Sequence, residues 1–365
     1  MAETTGYPSA CACCRPPFCR KTAARRGRRR QARIGASIIS RLRLIVPLPT
    51  TLRVHQYAGL QPGPRLIILG AVHGNEICGT RAIARLIAEI DNGELRIERG
   101  TLTLVPVTNP LAYDRKQRQG ERNLNRNLRP NAEPRDFEDR IANALCPLLD
   151  AHEVLLDLHS FHTGGQPFVM LGPRDNDGAL EPFSHAAEEA RLAAHLGVSR
   201  VVEGWLDTYA LGVERRRARQ PDANPLLLDA AYGVGTTEYM RSRGGYGVTL
   251  ECGQHDDPAA PEVAYRAIRQ TLALLGLSGA QPQAPTQDFE VLRLQDVIDL
   301  DHPGDIFVRE WQSFDPVKAG EVIGHRHDGT PVAVADDGFI VFPNPRALPG
   351  NEWFYFARPS ARRLI

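Results

Sequence analysis

Short apolar runs alternate with segments of helical period from residue 65 onward, and no other feature of the chain constrains its fold as much. RLIILG (65–70) has the length and unbroken apolarity of a buried strand. Residues 76–90 then place Ile83, Leu86, Ile87 and Ile90 at i, i+3, i+4 and i+7, one stripe of a helix. TLTLVPV (101–107) predicts the next strand, Phe137, Ile141, Leu145 and Leu148 a second helix, and EVLLDLHS (153–160) a third strand. Residues 181–196 read as helix, GVTLECG (247–253) as strand, and Val263, Ala267, Ile268, Leu272 and Leu275 as the inward stripe of a last helix. This alternation predicts an α/β fold, a mixed sheet flanked by helices. Two stretches break it. Residues 206–243 read as a variable polar region, and 111–135 as a loop with Gly120, Pro130 and Pro134 among many Arg and Asn, of a length usually kept for binding.

Past residue 276 the composition shifts. GLSGAQPQAPTQ (276–287) reads as a linker, and the strand-sized runs beyond it are separated by HPGD, KAGE, HDGT, DDG and NPRALPG turns. The expectation is a catalytic domain at 46–279 followed by a smaller all-β domain at 288–365. The other end is set apart by charge. Residues 1–43 carry 11 Lys/Arg and one acid, leaving 33 basic against 42 acidic residues for the rest, so the formal net charge of +1 joins a basic extension to an acidic body. Residues 1–45 are therefore expected to be a disordered Cys/Arg-rich extension: Cys11, Cys13, Cys14 and Cys19 are followed by no second ligand pair at a zinc-site spacing. An acidic body is no polyanion binder, so no specific nucleic-acid partner is expected despite the basic tail. The stretch IGASIISRLRLIVPLP is interrupted by Arg41 and Arg43 and falls short of the ~20 apolar residues of a membrane span, so no membrane partner is expected either. Cys78, Cys146 and Cys252 lie singly in apolar segments, which fits a reducing compartment and predicts a cytoplasmic protein. Nothing in the sequence fixes an oligomeric state.

A P-loop, a dinucleotide-binding glycine fingerprint and a GxSxG nucleophile elbow are all missing from the sequence, which removes most of the weight from those classes. Present instead is GAVHGNE, at the carboxyl end of the first strand and opening the first helix. His73 and Glu76, with two residues between them at such a turn, converge an imidazole and a carboxylate on one point. His159 ends the strand LLDLHS and supplies a third ligand, because open α/β sheets gather ligands at the carboxyl ends of their strands. Two His and one Glu leave a fourth position for water, the donor set of a catalytic zinc, one per chain. Glu251, ending GVTLECG, reaches the same edge and suits the general base that takes the water's proton. In the long loop, Asn125 and Arg126 offer adjacent donors to a substrate carboxylate, and Arg118 or Arg115 could face the developing oxyanion. A lone HxxE arises often by chance; the weight here lies in His73, His159 and Glu251 all ending strands of one sheet.

These residues resemble the succinylglutamate desuccinylase/aspartoacylase family, relatives of the zinc carboxypeptidases, over about residues 60 to 365. GAVHGNE is similar to that family's first two zinc ligands, LLDLHS to the strand bearing the third, and GVTLECG to the strand bearing the catalytic glutamate. NLNR (123–126) resembles the family's DLNR motif, whose Asn and Arg hold the substrate carboxylate, and its offset makes Arg118 the counterpart of the carbonyl-polarising arginine. The all-β tail resembles the family's barrel-sandwich domain, which narrows the active site. The resemblance implies a zinc-dependent deacylase cleaving an amide or ester of a small anionic substrate such as an N-acyl amino acid. A zinc carboxypeptidase and a catalytically impaired binding protein on the same scaffold are the alternatives. Two departures stand out. Asn123 replaces an Asp that accepts a hydrogen bond from a zinc-ligating His, keeping the acceptor and losing the charge. NLRP follows the clamp where relatives often carry a Phe-Pro-Gly turn.

Overall fold

The structure, a computed structural model, describes residues 48–219 and 225–364. The extension expected at 1–45 lies outside them. In chain order the elements are β1 (His55–Ala58), β2 (Gln61–Gly70), α1 (Cys78–Asp91), β3 (Arg99–Val105), α2 (Pro110–Arg115), α3 (Phe137–Asp150), β4 (Val154–Phe161), β5 (Phe168–Leu171), α4 (Ala186–Ala194), β6 (Arg200–Glu203), α5 (Trp205–Arg219), α6 (Thr236–Ser242), β7 (Tyr246–Gln254) and α7 (Ala260–Leu274). Then follow β8 (Glu290–Asp299), β9 (Ile306–Phe307), β10 (Pro316–Val317), β11 (Val322–His325), β12 (Pro331–Ala333), β13 (Gly338–Val341) and β14 (Glu352–Pro359).

One mixed sheet organises these elements, in the order β1-β3-β2-β4-β7-β5-β6-β8-β14-β13-β10. Its centre is parallel: β3, β2, β4 and β7 run side by side, so their crossover helices cover both faces and the strands are apolar throughout. Strand alternation divides the side chains between two cores. Leu66 and Ile68, Leu156 and Leu158, and Val248 and Leu250 pack under α1, α4 and α7. Ile67, Leu69 and Leu155 face the other way, onto Ile141, Leu145 and Leu149 of α3 and Met240 of α6. The strand positions that continue this second face toward the carboxyl ends are Asp157 and His159 on β4 and Thr249 and Glu251 on β7, paired Asp157 with Thr249 and His159 with Glu251.

The C-terminal strands are antiparallel and continue the same sheet: β8 pairs with β6 in parallel, and β14, β13 and β10 follow antiparallel. A separate three-stranded sheet, β12-β11-β9, completes the C-terminal β region around Trp311, Ile323, Trp353 and Phe354. Residues 280–288, between α7 and β8, carry no helix or strand.

The structure corrects the reading of the two polar stretches. The loop expected at 111–135 opens with α2, capped by the Asn109 side chain, which accepts from the Ala112 N–H at 3.1 Å. The region 206–243 holds α5 and α6. α5 buries Leu206, Tyr209, Val213 and Arg216 on one stripe, and an arginine in the fourth place hides the periodicity. Arg216 is buried because Asp299 of β8 takes its Nε and Nη2 at 2.8 and 2.9 Å. The helix expected at 181–196 is confined to α4, with Asn176 and Phe183 forming an isolated bridge ahead of it.

Candidate active site

The turn between β2 and α1 is shaped by close packing. Ala71 takes a left-handed conformation (φ 47°), and a Cβ on Gly74 would lie 2.0 Å from the carbonyl carbon of Ala112, so only glycine fits against α2. The turn lifts His73 and Glu76 to the sheet edge where β4 presents His159. All three are buried, and one ligand atom from each lies within 4.8 Å of the others.

Tautomers are set by what each imidazole meets on its far side. His73 Nε2 lies 3.0 Å from Asn123 Oδ1, an oxygen that also accepts from the Asn125 N–H at 2.9 Å. An amide oxygen only accepts, so Nε2 carries the proton and Nδ1 keeps its lone pair. His159 Nε2 lies at ion-pair distance from Asp157 Oδ2, 2.9 Å, while its Nδ1 is hydrogen-bonded to Glu76 Oε2. The two Nδ1 atoms then face the two oxygens of Glu76: His73 Nδ1 is 2.9 Å from Oε1 and His159 Nδ1 is 2.9 Å from Oε2. His73 Nδ1 is buried with no hydrogen-bond partner. Two imidazole nitrogens and a carboxylate converging in a buried space suit a first-row divalent cation, which would take the place of the His159 Nδ1 proton, and the set fits zinc.

The charges follow from this crowding. Burial drives His73 down to about 4, with Arg118 adding to the effect. Burial also opposes charge on His159, but Asp157 and Glu76 outweigh it and hold its pKa well above the ordinary value. Glu76 is held well below the carboxylate range, its burial outweighed by the two histidines. Glu251 is buried with Oε2 unpartnered, and burial pushes it up to about 8.

The long loop is braced rather than slack. Buried Glu138, in the first turn of α3, accepts from the N–H groups of Gly120, Glu121 and Arg122 and from the Asn109 side chain. Arg122 pairs with Asp136 and Asp139. Asn123 is thereby fixed against His73. Asn125 Oδ1 accepts from the Thr236 N–H at 2.9 Å, and a Cβ on Gly235 would lie 2.1 Å from that oxygen, so a side chain there would displace the Asn125 amide. Arg126 lies over the Trp205 ring, 4.7 Å from its centroid, with Nη2 3.4 Å from Glu352 Oε1. Burial opposes ionisation of Glu352, but Arg126 and Arg216 hold its pKa below the usual value.

Of the two upstream arginines, Arg118 reaches the centre: its Nη1 donates to Glu76 Oε1 at 2.8 Å. Arg115 stays outside, donating to the Gly120 carbonyl. One cavity is lined by His73, Glu76, His159, Glu251, Arg118, Asn125 and Arg126 together, and from the C-terminal region by Phe342, Asn344, Glu352 and Tyr355. Sequence reading passed over Asp157, whose signal was a charge inside an apolar strand two residues before His159, and Glu352, for which a glutamate at a strand start gives no signal. It also passed over His162, which lines the cavity and ties β4 to the C-terminal region through the Pro343 carbonyl at 2.9 Å. On α6 and just beyond it, Arg241 is buried in the cavity wall, whereas Arg243 is an exposed partner of Asp150.

Among the described residues a second group, His302, Asp305 and His327, also brings potential ligand atoms within 4.8 Å. Asp305 there already accepts from the N–H groups of Asp301, His302 and His327 and from Arg326. It is a turn brace rather than a free ligand. No helix among the described residues is long and apolar enough to cross a membrane.

Residues 62–276 match the family model described as the succinylglutamate desuccinylase/aspartoacylase catalytic domain. A succinylglutamate desuccinylase of Pseudomonas fluorescens (strain Pf0-1) is 21% identical over 308 residues, covering 79% of this chain and 81% of that protein. A succinylglutamate desuccinylase/aspartoacylase structure from Rhodobacter sphaeroides superposes with a TM-score of 0.62 at 17% identity, over 84% of this chain and 89% of the other. The product-bound ectoine utilization protein EutE (DoeB) from Ruegeria pomeroyi does so at 0.61 and 19%, over 84% and 88%. The succinylglutamate desuccinylase of Vibrio parahaemolyticus does so at 0.63 and 19%, over 85% and 87%. At these identities the structural likeness speaks for the fold.

Proposed function

Because the chain belongs to the succinylglutamate desuccinylase/aspartoacylase family, whose members are amide-cleaving hydrolases, we propose that it is a zinc-dependent deacylase of a small carboxylate-bearing substrate such as an N-acyl amino acid. The observation that carries this reading is the convergence of His73 Nδ1, the Glu76 carboxylate and His159 Nδ1, with both Nε2 atoms held from behind by Asn123 and Asp157. His73, Glu76 and His159 would hold one zinc ion, which supplies an electrophile that acidifies water and polarises the scissile carbonyl.

The chain's own groups complete the reaction. Glu251, whose burial raises its affinity for a proton, takes one from the attacking water and returns it to the leaving amine. Arg118, beside Glu76, stabilises the oxyanion as it develops. Asn125 and Arg126 orient the substrate carboxylate; the Arg126 to Glu352 contact at 3.4 Å is long for an ion pair and readily exchanged for a bidentate one. The cavity wall formed by Phe342, Asn344, Glu352 and Tyr355 favours a small substrate over a polypeptide end. Cys78, Cys146 and Cys252, the three cysteines among the described residues, are buried free thiols, which suits a reducing, cytoplasmic setting.

The test is hydrolysis of a panel of N-acetyl and N-succinyl amino acids beside blocked dipeptides, with and without chelator. Release of free amino acid from an acyl derivative, lost on chelation and restored by zinc, is expected. Cleavage of dipeptides alone would favour the carboxypeptidase, and no cleavage by zinc-loaded protein the binding protein.

A further inference from the structure

The active-site cavity extends along β7 away from Glu251, past Thr249, to a wall that holds one guanidinium among three carboxylates. Arg241 of α6 sits there, donating from Nη2 to the Gly247 carbonyl at 2.9 Å. Gly247 is four residues from Glu251, about 13 Å of strand. Every N–H of Arg241 is taken. Nε and Nη2 donate to the two oxygens of Glu189 at 2.8 and 3.2 Å, and Nη1 donates to Glu181 at 2.6 Å and Glu238 at 3.4 Å. A guanidinium has five N–H donors, and these contacts use all five.

The three glutamates are not equivalent. Glu189 is wholly buried and also accepts from the N–H groups of Gly172 and Gly247. Glu238 spends its second oxygen on the Gly235 N–H at the start of α6. Glu181 lines the cavity, its side chain 11% exposed, and its second oxygen has no hydrogen-bond partner among the described residues. Burial pushes the Glu181 carboxyl up to about 7, against the pull of Arg241 and with a further push from Glu238 and Glu189. One cation thus serves three acids, and the acid left over faces the substrate's space.

We propose that this end of the cavity selects an amino-acid side chain carrying an ammonium or guanidinium group, with Glu181 as the specificity-determining residue. The inference rests on the deacylase reading above: with the scissile amide and a short acyl group at His73, Glu76 and His159 and the α-carboxylate at Asn125 and Arg126, the amino-acid side chain is the branch left to reach Glu181. A cationic branch supplies the charge that Arg241 alone does not. A second carboxylate would find no free donor on Arg241 and would meet like charges, so dicarboxylic acyl amino acids are rejected by repulsion.

The test runs two arms on the zinc-loaded full chain. Calorimetry measures binding of L-ornithine, L-norvaline and L-glutamate, and turnover is measured on their N-acetyl derivatives. Ornithine is expected to bind at least tenfold tighter than norvaline and glutamate, with the same order in kcat/KM. Glu181→Gln, checked by its melting temperature, is expected to shrink the ornithine-to-norvaline ratio at least tenfold. Equal binding of all three, a preference for glutamate, or a ratio unmoved by Glu181→Gln would overturn the inference. The arms separate the two claims: preferred binding of ornithine without turnover of any derivative would sink the deacylase and keep the charge selectivity, and turnover with an acidic preference would do the reverse.

Discussion

Replacing Asn123 with alanine removes two contacts of one amide oxygen, the 3.0 Å bond from His73 Nε2 and the 2.9 Å bond from the Asn125 N–H. The first fixes the tautomer that leaves Nδ1 free, so its loss is expected to weaken zinc binding about 10–100-fold, the usual cost of removing a ligand's outer partner. That corresponds to about 1.4–2.8 kcal/mol. The second closes the turn that aims Asn125 and Arg126, so kcat/KM is expected to fall beyond the metal effect even at saturating zinc. Asn123→Asp keeps both acceptors and adds a negative charge behind His73, making the imidazole a stronger donor, so zinc binding is expected to tighten. Competition against a chromogenic chelator at fixed pH reads both variants, with an unfolding curve beside each. Alanine and aspartate variants that both bind zinc within twofold of the parent would refute the argument that this amide sets the His73 tautomer.

Glu251→Gln is expected to retain stoichiometric zinc while kcat falls about 100-fold or more, because only proton transfer is lost; loss of the metal would make Glu251 a ligand or a fold element. Arg241→Met leaves Glu181, Glu189 and Glu238 without their shared cation and is expected to cost about 3–5 kcal/mol in urea unfolding; a cost under 1 kcal/mol would show the cluster carries little buried charge. Asp305 is held down at about 2 against an ordinary 3.8; burial opposes this, and Arg326 with the surrounding backbone N–H groups outweighs it. A depressed folded pKa contributes stability above about pH 4 that is lost as pH falls through 2, so Asp305→Asn is expected to cost about 2 kcal/mol at pH 7 and progressively less toward pH 2; a cost independent of pH would contradict this.

Much of the architecture is legible because it depends on local pattern. β2, β4 and β7 are buried on both faces, so their sequences are plain apolar runs, and the polar residues that end them, His73 just beyond β2, His159 and Glu251, stand out against that background. α1, α3 and α7 each bury one stripe and leave the other side wet, the case periodicity detects. What escapes is what depends on distant partners. Arg216 interrupts the apolar stripe of α5 and is buried only because Asp299, more than eighty residues later, neutralises it. Arg241 carries no mark of burial in the sequence, because the acids that close around it, Glu181 and Glu189, come from the segment between β5 and the middle of α4. The four-residue strands β1, β5 and β6 are too short for alternation to register. The C-terminal strands read correctly as β, yet their pairing onto β6 through β8 is set by register and not by composition.

The most direct test of a catalytic zinc on this sheet edge is anomalous diffraction at the zinc absorption edge from crystals of the zinc-loaded protein. A peak is expected within coordination distance of His73 Nδ1, the Glu76 carboxylate and His159 Nδ1, vanishing in His73→Ala while the fold persists. A peak confined to His302, Asp305 and His327, or none despite saturating zinc, would contradict it.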